Sequence, residues 1–416
     1  MDNLTHTIVG LGAGELVHRS LAPEATETRQ RTRHRLLLTA CALASNFPDL
    51  DLLISGGLPN PLSYLLEHRG YTHTVLYALP EAVLLVALLW LCWPAARALL
   101  RESRPARIGL AATVAIGFAL HLLMDYTNSY GIHPFYPFDT RWFYGDMVFI
   151  VEPWYWVVFG VPLIMTMPRR TARATALLLF GAVLLFFALR GYLGTLPLCV
   201  MIASGAGLAA MQHRDGTRGR SALVLALLLS VGLVALQSAA SDAGRARITG
   251  VLQRDDPPAR VLDVAMTAFP SQPLCWNFAS LEVNEAADSY RLRRGVISLA
   301  PQWLAPLACP RGLVEQGASA ALTPAIAVFG QASASLHTLR ALKDANCYVD
   351  AWLRFARMPQ LQADELSDYR FSATPRGNFS TLPFAALARD ACPQSVPAWS
   401  YPRADMLTPP ASVPRR

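Results

Sequence analysis

Residues 107–131 read RIGLAATVAIGFALHLLMDYTNSYG. From Ile108 to Met124 only Thr113 and His121 interrupt an apolar run, and then come Asp125 and Asn128. A run of this length reads as a membrane-crossing helix. Insertion scales charge roughly 2.5–3.5 kcal/mol for an ionised Asp at the centre of such a helix. His121 and Asp125 stand four apart and share a helical face, and Asn128 continues the stripe at i+7. The stretch therefore sets both the fold class, membrane α-helices, and the question of what the polar stripe is for.

Similar runs lie at 36–55, 74–100, 148–167, 173–190, 192–211 and 221–240, with a shorter helical segment at about 5–20. That segment carries Gly10 and Gly14, small residues spaced for close helix packing. Composition agrees: 53% of the 416 residues are hydrophobic, 16% are charged, and mean hydropathy is +0.30. The net charge of +7 is almost all arginine, since Lys343 is the only lysine. Arg29, Arg31, Arg33 and Arg35 fall in one inter-helix loop. Arg97, Arg101, Arg104 and Arg107 fall in another, and further clusters lie at 169–173 and 214–220. The intervening loops 56–73 and 126–147 are nearly free of arginine. The positive-inside rule then puts the arginine loops in the cytoplasm, and puts the N-terminus, 56–73, 126–147 and everything after 240 outside. The basic excess marks cytoplasmic loops, so no nucleic-acid partner is expected. The start, MDNLTHT, lacks the positive n-region of a cleavable signal peptide.

The cysteines divide the same way. Cys41, Cys92 and Cys199 sit in apolar runs, whereas Cys275, Cys309, Cys347 and Cys392 sit in the polar C-terminal part. Four cysteines on an oxidising side allow two disulfides in three pairings, and the sequence does not choose among them. The alternating stretches 260–269 and 290–299 read as strands, 335–358 as mainly helical with a stop at Met358-Pro359. The fold expected is a polytopic α-helical membrane protein of about seven or eight membrane segments, with a C-terminal mixed α+β extracytoplasmic domain. Its parts are a membrane-embedded region 1–190, additional transmembrane helices 191–243, an α+β domain 244–395, and a disordered Pro-rich tail 396–416. The expected location is a membrane, with the C-terminal domain on its outer side.

With that topology, polar residues from five segments reach one membrane face. They are His6; Asp49 and Asp51; His68, Arg69 and His73; His121, Asp125 and Asn128; and Asp146 with Glu152. Each has a bland reading. His121 and Asp125 can form an intrahelical pair, Thr72-His73 a plain helix start, and Asp49 and Asp51 a helix end after Pro48. Glu152 before Pro153 suits a first-turn acid, and His133 beside Pro134 suits a loop. All of these must hold together for the coincidence to be empty. The alternative is a divalent metal site, since imidazole and carboxylate are ligands for Zn²⁺ and its neighbours. The ligand set exceeds the needs of one ion, so two metals with a bridging carboxylate are expected. Arg69 or Arg141 is positioned in sequence to neutralise a substrate phosphate.

The ordered motifs MDNLTHTIVG, NFPDLD, HRGYTHT, HLLMDYTNSYG and GDMVFIVEPW resemble the YdjM-like bacterial inner-membrane proteins over about residues 1–190. That family is described as membrane-bound metal-dependent hydrolases, distantly similar to zinc-dependent phospholipase C and zinc-dependent nucleases. The resemblance implies His6, Asp49 or Asp51, His73 or His68, His121 and Asp125 as ligands. Glu152 stands where those proteins usually carry Asp. It implies one to three ions, zinc first and manganese second; His68, Arg69 and Asn128, read from their place beside those ligands, are expected to assist catalysis. The expected chemistry is metal-activated water attacking an ester, most readily a phosphoester, with membrane lipids or a lipid-like phosphoester as partner and substrate. The rival readings are a transporter and a sensor with a structural metal; oligomeric state is left open.

Overall fold

The computed structural model describes residues 1–314 and 319–408. Its N-terminal half is helical: α1 (Asn3–Ser20), α2 (Glu27–Ala44), α3 (Asp51–Ile54), α4 (Leu62–Glu67), α5 (Ala78–Cys92), α6 (Pro94–Glu102), α7 (Arg104–Tyr126), α8 (Pro153–Met165), α9 (Arg170–Leu189), α10 (Thr195–Asp215) and α11 (Ser221–Asp255). Four of these, α7, α9, α10 and α11, are long and apolar enough to cross a membrane. Two bent pairs raise the number to six if each is one span: Glu27–Ala44 with Phe47–Leu53, and Leu62–His73 with Ala78–Cys92. The expected run 74–100 breaks at Trp93, before Pro94. The run 148–167 turns helical only at Pro153, because the residue before a proline is pushed out of the α region.

Helix starts are written locally. Asp2 caps α1 by accepting from Thr5 N, Thr26 caps α2, and Ser103 caps α7 ahead of Pro105. The packing of α1, α2 and α7 depends on glycine. A Cβ on Gly10 would lie 2.7 Å from Ser45 Oγ, one on Gly14 2.9 Å from Leu37 O, and one on Gly117 2.9 Å from Cys41 O. The small residues noted at 10 and 14 thus let three backbones meet, which brings α1 and α7 within ring-stacking distance. Most of α9 is exposed, including Leu178 and Leu179, a surface suited to lipid.

The C-terminal part holds a five-stranded antiparallel sheet of order β1-β2-β3-β5-β4: β1 (Arg260–Phe269), β2 (Gln272–Asn284), β3 (Ser289–Ser298), β4 (Ala320–Thr323) and β5 (Ile326–Ser335). Then come α12 (Leu336–Ala345), α13 (Cys347–Leu353), the hairpin β6 (Pro359–Leu361) and β7 (Leu366–Asp368), and α14 (Ala404–Leu407). The strands read at 260–269 and 290–299 are present. The helical stretch divides at Asn346, whose side chain accepts from Tyr348 N and Val349 N to start α13. Strand alternation gives the sheet two buried faces. Val264, Met266 and Ala268 pack on Ile248 and Leu252 of α11, while Ala265 faces the opposite core with Leu339 and Trp352. Disulfides join Cys275 to Cys309 and Cys347 to Cys392.

Two expected boundaries move. No breaker interrupts α11 until Pro257, so this helix runs unbroken across the expected border at 243–244 into the α+β part. The tail expected to be disordered from 396 is packed as far as the described residues extend. Trp399 is buried with its indole N–H on Leu66 O, and Met406 and Leu407 are buried too. Three aromatic and aliphatic anchors outweigh a Pro- and Ser-rich composition. Residues 409–416 of that tail lie outside the described residues.

Candidate metal centre

Each side chain of the cluster sits at the end of a helix. Asp49 lies in the turn Phe47–Leu50 that bends α2's direction after Pro48, and Asp51 opens α3. His73 closes the turn Tyr71–His73. His121 and Asp125 lie on the last turns of α7, and His6 lies in the second turn of α1. His6, His73, His121 and Asp125 are fully buried.

Four ligand atoms converge. His73 Nε2 and His121 Nε2 are 3.0 Å apart. His73 Nε2 lies 3.3 Å from Asp49 Oδ1 and 3.3 Å from Asp125 Oδ2. His121 Nε2 lies 3.7 Å from Asp49 Oδ1 and 3.6 Å from Asp125 Oδ2. Four ligands about 2.0–2.1 Å from a tetrahedral ion would be separated by about 3.3–3.4 Å. The five separations scatter around that value, so the donor set fits a divalent cation.

The hydrogen bonds behind the ligands support the same fit. His121 Nδ1 donates to Ser45 O at 2.8 Å. The Thr72 hydroxyl donates to Asp51 Oδ2 at 2.8 Å, and His73 Nδ1 faces Thr72 Oγ1 at 3.0 Å. With protons on both Nδ1 atoms, each imidazole turns an Nε2 lone pair toward the same point. Two lone pairs 3.0 Å apart repel each other unless a cation or a proton stands between them. Asp125 Oδ2 is buried without a hydrogen-bond partner. The cluster gathers three carboxylates, of which Asp125 alone takes the guanidinium of Arg69 and the amino group of Met1, both on Oδ1. The surplus negative charge is buried, a cost that a bound cation removes.

A second group consists of Asp49, Asp51 and His68, whose ligand atoms also lie within 4.8 Å of one another. His68 Nδ1 is 2.9 Å from Asp51 Oδ1. Asp49 belongs to both groups, the position of a bridging carboxylate. Asp49, Asp51 and His68 keep 7%, 4% and 6% exposure, against none for His73, His121 and Asp125. The three-residue group is therefore the side of the cluster nearer the surface.

The other expected residues divide. His6 stacks on His121 at 4.3 Å and puts Nε2 3.2 Å from Asp125 Oδ1, behind the four-atom group and not in it. Arg69 is buried, donating to Asp125 Oδ1 at 3.1 Å and to Asn128 Oδ1 at 3.0 Å. Asn128 thus holds Arg69, and also accepts from Tyr130 N. Glu152 does not join the cluster: it caps α8 through Trp154 N and is taken up by the N–H and hydroxyl of Ser271, in the β1–β2 turn. Arg141 points away as an exposed ion pair with Asp139, whose carboxyl its guanidinium hydrogen bonds hold at about 2. Asp146 is also elsewhere, clasped by Arg357 at 2.9 Å through both carboxylate oxygens and by Arg245. His133 is sandwiched by Trp142 and Trp399, each 3.9 Å away.

Aromatic side chains around the cluster went unnoticed in the sequence. Tyr64 stacks on His68 at 5.1 Å, Tyr130 lies under Arg69 at 5.0 Å, and Phe379 of the C-terminal part meets Tyr64 at 5.6 Å. Only tertiary packing assembles them.

Residues 1–198 match the YdjM inner membrane protein family. The resemblance carried by the five motifs stands over this region. With the long apolar helices, it makes the chain a membrane protein. The chain is also similar to the uncharacterized protein YfhP of Bacillus subtilis (strain 168), 27% identical over 157 residues. That alignment covers 38% of this chain and 43% of YfhP, so the chain spans less than half of that relative's length. No solved structure matches the chain.

Proposed function

We propose that the protein is an inner-membrane metal-dependent hydrolase acting on an ester, a phosphoester first, at the outer face of the membrane. The observation that carries this reading is the shared Asp49 between a buried four-atom group and a shallower three-atom group. Three protein ligands leave a tetrahedral ion one position for water or substrate, the mark of a catalytic site. A divalent ion bound there would supply Lewis-acid polarisation of a phosphoryl oxygen and a lowered pKa for water. Zinc suits the donors best and manganese is second. His68 and Asp51 would hold an ion in the shallow position, Thr72 and the Arg69 N–H orient Asp51, and Asn128 positions Arg69. Arg69 offers a cation beside the cluster for the charge of a phosphoester.

The outward orientation rests on the arginine loops and on two disulfides in the C-terminal part, which suit an oxidising compartment. Seven or eight crossings follow if α1 and the short apolar α8 also traverse the bilayer. The aromatic rim of Tyr64, Tyr130 and Phe379 favours an amphiphilic substrate at headgroup level.

A second reading, a sensor with a structural ion, draws on the four-atom group alone, because four protein ligands leave no place for water. The transport reading fares worse. Between His6 and Glu15 the buried face of α1 offers only Val9, Gly10, Gly12 and Gly14, with no titratable relay.

The test is hydrolysis of bis(p-nitrophenyl) phosphate by the detergent-purified chain loaded with zinc or manganese. Metal-dependent turnover lost in His68→Ala supports the hydrolase. An intact complement of bound metal with no turnover on this and a phospholipid substrate would transfer the argument to the structural reading.

A further inference from the structure

Helix α1 carries a second polar cluster at its other end. Arg19 lies thirteen residues beyond His6, about 20 Å along the helix at 1.5 Å per residue. Its side chain is 2% exposed and almost fully engaged. Nε donates to Glu15 Oε1 at 2.6 Å, and Nη1 donates to Gln212 Oε1 at 3.0 Å and to Gly219 O. These bonds fix the guanidinium against α10 and the loop before α11. Nη2 remains, buried and without a hydrogen-bond partner. His18 is in the same state: Nε2 is 3.1 Å from Gln30 Nε2, while Nδ1 is buried with no partner.

Both residues line a cleft of about 350 Å³ together with Gln30, Arg31, His34 and Arg218. Among the described residues no carboxylate lines it. Glu15, the nearest, already takes Arg19 on one oxygen and His34 on the other at 2.5 Å. Arg31 is tied to Glu27 only by an exposed i,i+4 pair, an interaction weak enough to yield to a better anion. The size is within the usual range of small-ligand pockets, about 300–1,000 Å³.

We propose that this cleft binds a phosphate-type anion. A guanidinium held on three sides with one nitrogen left over is pre-organised for an oxyanion, and Arg31 lines the cleft from α2 and Arg218 from the loop before α11. A phosphate group presents several acceptor oxygens and suits three arginines and an imidazole N–H. The anion is either a phospholipid headgroup or a soluble phosphate compound. The inference does not depend on the metal centre.

The full-length protein in detergent is titrated with inorganic phosphate by calorimetry. It is also titrated with phosphatidylglycerol, against phosphatidylcholine, by native mass spectrometry. Wild type is compared with R31A/R218A, which removes two exposed side chains and preserves the buried Arg19 contacts, and with His68→Ala at the distant cluster. The expected result is roughly ten-fold or greater weakening in R31A/R218A and none in His68→Ala. Weakening confined to phosphatidylglycerol identifies a lipid headgroup; weakening with inorganic phosphate identifies a soluble ligand. The proposal is overturned if wild type binds neither probe, if R31A/R218A binds as wild type does, or if His68→Ala removes the binding.

Discussion

Asp49 is the one residue common to both ligand groups, so its loss should differ in kind from the loss of any other ligand. Removing His68 leaves the four-atom group complete and the three-atom group with two carboxylates. Removing His121 leaves the three-atom group complete and the other with three ligands. Asp49→Ala damages both. Even outer partners of metal ligands are worth about 10–100-fold in affinity, so a ligand itself is assigned at least 100-fold. At a free-ion level ten times the wild-type dissociation constant, each wild-type position is about 90% filled, and a position weakened 100-fold is about 10% filled. Elemental analysis of protein equilibrated in a zinc–chelator buffer at that level should then give about two ions for wild type. It should give about one for His68→Ala or His121→Ala, and well under one for Asp49→Ala. The same buffer stabilises the fold by about 1.4 kcal/mol per ion, so the melting temperature should fall in the same order. If Asp49→Ala retained as much zinc as His68→Ala, the carboxylate would not bridge and the two-ion argument would fail. If wild type held none, the cluster would be a polar network and nothing more.

Two further outcomes test the C-terminal part. Burial alone would raise the Asp263 carboxyl, but the charges of Arg357 and Arg403 outweigh it and hold the group at about 2, below its ordinary 3.8. A depressed carboxylate stabilises fully above the unfolded value and loses that contribution as pH falls from about 4 toward 2. Asp263→Asn should therefore cost about 2 kcal/mol at neutral pH and flatten the acid limb of a melting-temperature profile; an unchanged acid limb would refute the ion-pair account. Peptide mapping without reduction should recover Cys275 linked to Cys309 and Cys347 linked to Cys392, and each bridge should contribute about 3–4 kcal/mol. A different pairing would mean the strands around Cys275 are misplaced.

Much of this arrangement can be read from the chain before any coordinates. A polar residue at the end of an apolar run has few places to go, and runs of alternating direction deliver their ends to the same level. That is why His6, Asp49, Asp51, His68, Arg69, His73, His121, Asp125 and Asn128 are found together. Gly10 and Gly14 could be read too, because close helix packing leaves few alternatives to a small residue. Glu152 misled because its partner, Ser271, is 119 residues away and no local rule reports it. The tail misled because composition averages over Trp399 and Met406, two side chains that find pockets in the core. The break at Trp93 and the late start of α8 were local, written in Pro94 and Pro153, and hydropathy alone passes over both.

The continuity of α11 changes how the two halves should be regarded. A domain hung on a flexible linker would add little to a membrane site, but here the chain passes from membrane helix to sheet without a joint. The loop that follows the ligand helix α7 is then gripped from above. Arg370 donates to Ser129 O at 2.7 Å and to Tyr130 O, and Asp368 anchors Arg370 in turn. Arg357 and Arg245 both clasp Asp146 in the same loop. Removing one partner from a buried pair of this kind costs about 3–5 kcal/mol, more than surface contacts between loosely docked domains supply. Asn128 and Tyr130 stand beside the carbonyls that Arg370 holds, and they fix Arg69, which in turn meets Asp125. The C-terminal part is therefore a fixed wall of the cluster, and the geometry of the membrane site depends on charges placed more than two hundred residues later in the chain.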